Sequence, residues 1–158
     1  MCLSYILGKR EFKKYYAKIE KHPRFSSIYI GWKIVRLINK GNKIEPYYYP
    51  QGKLFPIAKW IDEQDYRMDD DLSIYVSRNV RYKRGFHIFL SLEAVFDILK
   101  PHTPPYCARD TKIIKVYYKE VLVYGVQNRK PVVVVKNMYI PKQIPYTIKG
   151  NLGKKILK

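Results

Sequence analysis

Cysteine is scarce in this chain of 158 residues: Cys2 and Cys107 stand 105 positions apart, with no others. That spacing matches neither a disulfide framework nor a zinc site, so a reducing, intracellular setting is expected. Long apolar stretches are missing too. The longest runs are four or five residues, as at Val132-Val133-Val134-Val135, whereas a membrane-spanning helix needs about 20. No membrane span is expected. The stretch Met1–Gly8 is too short for a signal-peptide core, and its charges follow it instead of preceding it; secretion is not expected. Acidic residues are the last shortage, 13 against 31 Lys plus Arg, a formal charge of +18.

What is present argues for a folded body. Apolar residues make up 47% and aromatics 15%, including 16 tyrosines, which excludes a wholly disordered chain. The length suits one domain. Lys outnumbers Arg by 22 to 9, and Ile reaches 18; these residues share A/T-rich codons, so part of the excess reflects composition bias. Whatever its origin, the charge attracts polyanions.

Periodicity sets the outline. Residues 8–22 read as a helix, with Phe12, Tyr15, Tyr16 and Ile19 on one stripe and Pro23 ending it. Ile28, Ile30, Trp32, Ile34 and Ile38 alternate in period two, as a strand with one apolar face requires. Asn39–Asn42 supplies turn chemistry, and Pro46, Pro50 and Gly52 make the tyrosines at 47–49 irregular or an edge. Residues 55–61 suit a short strand. Positions 62–71 hold six of the 13 acids against Arg67 alone, a solvated acidic loop without the EF-hand pattern. Leu72, Ile74, Val76, Val80 and Tyr82 alternate again. Phe86–Leu90 reads as a strand, and Ser91 caps a helix running to Lys100, with Leu92, Val95, Phe96 and Leu99 inward. Residues 101–111 are a proline-rich loop. Residues 112–126 and 132–140 form a hairpin joined across Gly125 to Pro131. The expected fold is α+β: a strand-rich, mostly antiparallel sheet or partly open barrel with two helices. Residues 1–25 are expected as a basic helical arm, 26–140 as the β-rich core and 141–158 as an extended basic tail.

Catalytic constellations are weak. Cys107 with His87 or His102 lacks a Gly-rich oxyanion turn nearby, and the residues after Cys2 carry no N-terminal-nucleophile signature. No catalytic residue, metal site, cofactor or small-molecule substrate is expected. The cations carry the stronger signal: Lys9, Arg10, Lys13, Lys14, Lys18, Lys21 and Arg24 near the start, Arg78, Arg81, Lys83 and Arg84 in the middle, and Lys149, Lys154, Lys155 and Lys158 at the end. Such clusters neutralise phosphates, and interleaved aromatics stack on unpaired bases. An acidic protein surface inside a larger assembly meets them equally well.

Two resemblances bear on these readings. With Met1-Cys2-Leu3 at the start, Trp32-Lys33-Ile34-Val35 in a strand and Gly85-Phe86-His87 before the Ala94 helix, the chain resembles a set of uncharacterised small proteins of phages and large DNA viruses. That resemblance covers about residues 28–140, implies a viral source and transfers no activity. Arg36, Ser91 and Glu120 occur in the order found in ADP-ribosyltransferase-like folds, where Glu120 would polarise a ribose hydroxyl. The chain departs from that pattern, because Ser91 lacks a flanking Ser/Thr and Tyr118 stands at the paired Glu position. The leading expectation is a non-enzymatic basic binding protein, a capsid-associated cement of a virion or host cytoplasm. The alternatives are a nucleic-acid-binding protein, an ADP-ribosyltransferase-like enzyme and an inhibitor of host defence.

Overall fold

The structure, a computed structural model, describes residues 3–16, 19–38, 43–46, 54–66, 74–77, 80–99, 111–142 and 146–147. In chain order these form β1 (Tyr5–Leu7), α1 (Lys9–Tyr16), β2 (Lys21–His22), β3 (Phe25–Ile38), β4 (Lys43–Pro46), β5 (Trp60–Asp62), a 3₁₀ turn at Glu63–Tyr66, β6 (Ile74–Ser77), β7 (Val80–Lys83), β8 (Phe86–Phe89), α2 (Leu92–Leu99), β9 (Thr111–Gln127), β10 (Lys130–Tyr139) and β11 (Tyr146–Thr147). The α+β expectation holds. One nine-stranded antiparallel sheet dominates, and β6 and β7 make a separate hairpin.

The Val-, Ile- and Tyr-rich β9 is long enough to serve two partners. Its first half pairs with β3, from Thr111 opposite Arg36 to Tyr118 opposite Tyr29. Its second half pairs with β10. β10 pairs with β8, and β8 returns to β3 at Phe89–Trp32. The hydrogen bonds therefore close into a ring of four strands without making a regular barrel. Where β9 changes partner its alternation is broken: Glu120 has φ 53°, and the β9–β10 register slips between Val134 and Val135. Such a bulge bends the strand and re-aims side chains.

Each face of the ring has its own core. Ile88, Ile114, Val116, Tyr118, Val133 and Val135 meet with Phe12, Phe55 and Phe86 in one cluster. Ile34, Phe89, Ile113, Val132 and Val134 pack with Val95, Ile98 and Leu99 of α2, and with Leu3 and Tyr82, in the other.

Several expectations change. The helix expected over 8–22 is α1, Lys9–Tyr16, and the chain is extended again by Lys21. Eight residues are too few to hold a helix by propensity; the fully buried Phe12, packed on Tyr124, anchors it. For the same reason residues 3–16 belong to the body rather than to an arm. Pro23 lies in the turn between β2 and β3. The strand expected at 55–61 is displaced to Trp60–Asp62. The alternating stretch from 72 to 82 is two antiparallel strands, β6 and β7. Gly125 sits inside β9, and the hairpin turn is Asn128-Arg129, both with positive φ. That two-residue geometry matches the twist of the flanking strands. Residues 101–110 and most of 141–158 lie outside the described residues, although β11 pairs with β9.

Helix α2 begins as expected: Ser91 Oγ accepts the Ala94 N–H at 3.1 Å. Its buried residues are Ala94, Val95, Ile98 and Leu99, with Leu92 and Phe96 at the margin of the cluster. Ser91→Ala is expected to cost about 1 kcal/mol, the usual value of an N-cap, read as a shift in the urea midpoint at unchanged slope.

Candidate nucleic-acid interface

The predicted cations fall on separate elements. Lys9, Arg10, Lys13 and Lys14 are exposed on α1, and Lys21 and Arg24 on β2 and its turn. Arg81 and Lys83 are exposed on β7, whose alternation buries Tyr82, and Arg84 is half-buried, its Nε without a hydrogen-bond partner among the described residues. β7 lies against β1 and β9, whereas β2 is on the far edge beyond β3. Lys21 and Arg24 thus lie at the opposite edge of the sheet from β1. Lys18, Arg78, Lys149, Lys154, Lys155 and Lys158 lie outside the described residues.

A feature that the charge pattern does not mark appears on the outward side of the sheet. Helix α2 covers Ile34 and Ile113, but beyond them β9 turns Lys115, Tyr117 and Lys119 outward while Val116 and Tyr118 face the first core. Register then builds a row across four strands: Ile30 of β3 lies opposite Tyr117 of β9, Tyr117 opposite Tyr139 of β10, and Tyr139 opposite Trp60 of β5. The Tyr117 and Tyr139 rings are parallel within 7°, centroids 6.0 Å apart, and Trp60 follows at 5.6 Å. At the other end His22 meets Tyr117 edge-on at 4.7 Å and Phe25 at 5.1 Å. Phe25 is 55% exposed and Trp60 36%. Five aromatic rings thus run without a break over the sheet.

Cations border the row. Lys119 Nζ sits 4.7 Å from the Trp60 ring and Lys115 Nζ 5.5 Å from the Trp32 ring. Lys59, Lys21 and Arg24 are exposed at its two ends. Asp62, two residues from Trp60 on β5, is engaged: Asn137 Nδ2 donates to it at 2.9 Å and Lys136 Nζ lies 3.9 Å away. The only local mark of this arrangement in the sequence is Lys115-Val116-Tyr117-Tyr118-Lys119, where cation, aromatic and cation alternate at period two.

Two buried polar groupings need separate account. Lys33 points into the ring, donating to the His87 carbonyl at 3.2 Å, with Nζ 5.9 and 5.7 Å from the Phe55 and Phe86 rings. Burial brings its ammonium down to about 8. On the opposite face Leu3 N–H donates to Tyr82 Oη, Tyr82 Oη lies 3.2 Å from His87 Nε2, and His87 Nδ1 lies 3.3 Å from Gln127 Oε1. The amide oxygen only accepts, so Nδ1 carries the proton and Tyr82 donates to Nε2. Burial, reinforced by the charge of Lys33, holds the imidazole at about 3, against the opposing pull of the Gln127 hydrogen bond. This chain of contacts ties Leu3, β7, β8 and β9 together.

The ADP-ribosyltransferase-like residues are not brought into one site. Arg36 is paired at the Thr111 end of β9, about 30 Å along the strand from Glu120 at about 3.3 Å per residue. Ser91 caps α2. Cys2, His102 and Cys107 lie outside the described residues. Among the described residues no three His, Cys, Asp or Glu side chains gather as a metal site, and no helix is long and apolar enough to cross a membrane.

No protein-family model, no curated protein and no solved structure matches the chain.

Proposed function

We propose that the protein is a non-enzymatic binding protein whose outward sheet face takes nucleic acid. The observation that supports this over a purely electrostatic contact with acidic protein is the row from Phe25 to Trp60 bordered by Lys115 and Lys119. A purely electrostatic contact with an acidic surface uses the lysines alone, and a protein interface that also buries rings is the outcome the test below separates. Nucleic acid uses both, because phosphates take the cations and bases take ring faces.

Titration of a labelled oligonucleotide at several salt concentrations tests the reading. With three to five phosphate contacts, the log–log slope is expected near −2 to −4, about 0.7 per contact on a single strand. Lys115→Glu with Lys119→Glu is expected to weaken binding at least ten-fold and to flatten the slope by about 1 to 2. No binding to DNA or RNA at low salt would overturn the proposal, and co-sedimentation with an acidic protein assembly instead would establish the cement reading.

A further inference from the structure

We infer that the aromatic row selects unpaired bases, so that its ligand is single-stranded nucleic acid; this rests on the nucleic-acid reading above and names its substrate class. The row crosses from β3 to β5, three strand spacings or about 15 Å. At a stacked rise of about 3.4 Å that accommodates about four nucleotides. Between His22 and Trp60 the row itself presents rings and no cation, while the lysines stand beside it. A duplex turns its base faces inward and offers phosphates outward. Laid on this strip, it would bring charge against apolar rings and leave the lysines to one side. Among the described residues the row itself lies on sheet strands, with α2 packed over Ile34 and Ile113 further along the same face, whereas reading a major groove takes a helix or a two-stranded ribbon inserted into it. A single strand meets both features at once, its bases on Tyr117, Tyr139 and Trp60 and its phosphates toward Lys115 and Lys119.

Three probes of equal length separate the terms: a thymidine 12-mer, an abasic 12-mer with the same phosphates, and a 12-base-pair duplex. The 12-mer is expected to bind at least ten-fold tighter than either of the others and to quench tryptophan emission. Trp60→Leu is expected to weaken the 12-mer at least five-fold and leave the abasic strand unchanged. Tyr139→Leu, which keeps apolar bulk within β10, repeats the measurement should Trp60→Leu disturb β5, and circular dichroism checks the fold of both. Lys119→Ala is expected to weaken the 12-mer and the abasic strand by the same factor. Equal affinity for all three probes, or preference for the duplex, overturns the selection of unpaired bases while leaving nucleic-acid binding in place. Failure of all three, and of a uridine RNA 12-mer, to bind overturns both.

Discussion

Replacing Gly31 with alanine is expected to destabilise the protein by about 3 kcal/mol, the upper part of the usual overpacking range. The reason is space inside the ring. A Cβ at Gly31 would stand 2.2 Å from Ile88 Cγ2, 3.0 Å from the Phe89 carbonyl oxygen and 3.2 Å from Tyr118 Cε1. Ile88 and Tyr118 are fully buried, and a β-branched side chain has few rotamers into which it can retreat. The Phe89 oxygen is backbone at the place where β8 meets β3, beside the Trp32–Phe89 pairing that closes the ring. A methyl group there presses against the fold's point of closure. Gly8 is the control: no described residue lies within 4 Å of its added Cβ, and Gly8→Ala is expected to change stability far less. Adding Ile88→Ala to Gly31→Ala removes the Cγ2 contact, so the double variant is expected to lose less than the two single losses together, a coupling that a double-mutant cycle in urea measures. An alanine at 31 that leaves the urea midpoint unmoved would mean that β3 and β8 do not approach as described.

The ring shows what a linear sequence encodes and what it does not. Alternation marks β3, an apolar run marks β8, richness in Val, Ile and Tyr marks β9 and β10, and Ser91 marks the start of α2, because each signal lies within a few residues. Lys33 illustrates the limit. It stands opposite the Ile30–Trp32–Ile34 series, on the side that a one-faced strand turns to water, yet closure of the ring places that side in a second interior. Closure itself depends on β9 pairing with β3 through one half and β10 through the other, and no local pattern states that a strand will change partner. Gly125 was misleading for a related reason. Its missing side chain makes room for Leu3 Cδ1 and the Tyr5 carbonyl, 2.6 and 2.9 Å from where a Cβ would lie, rather than for a turn.

The candidate site was still less legible. Charge clusters pointed to α1, β7 and the C-terminal lysines, whereas the aromatic row is assembled by register from residues 22, 25, 60, 117 and 139. Each tyrosine taken alone reads as an ordinary strand residue. Only the antiparallel pairing of β9 with β10 and of β10 with β5 sets Tyr117, Tyr139 and Trp60 side by side.

Lowering the pH from 7.5 to 5 is expected to cost the protein about 2 kcal/mol through His87 alone. In the folded protein the imidazole titrates near 3; in the unfolded chain it returns to about 6.5. The unfolded state therefore takes up a proton that the native state refuses, and its share of stability, intact above about 6.5, is lost progressively as the pH falls toward 3. The geometry says why the proton is refused. Nε2 is occupied as the acceptor of the Tyr82 hydroxyl and Nδ1 already serves Gln127. Protonating Nε2 would turn Tyr82 Oη into an acceptor from both His87 and Leu3, and its own hydrogen would need a new partner in a buried site. The adjacent Lys33 charge adds to the cost. Between pH 7.5 and 5 the imidazole of the unfolded chain passes from neutral to charged, which is the change the window reads. His87→Gln, which keeps an acceptor toward Tyr82 and carries no titrating group, is expected to flatten the profile by this amount. Urea titrations of parent and variant at pH 7.5, 6.5, 5.8 and 5 provide the comparison. Parallel profiles would show that His87 takes up its proton in the native state as readily as in the unfolded chain, and that Tyr82, His87 and Gln127 are not joined as described.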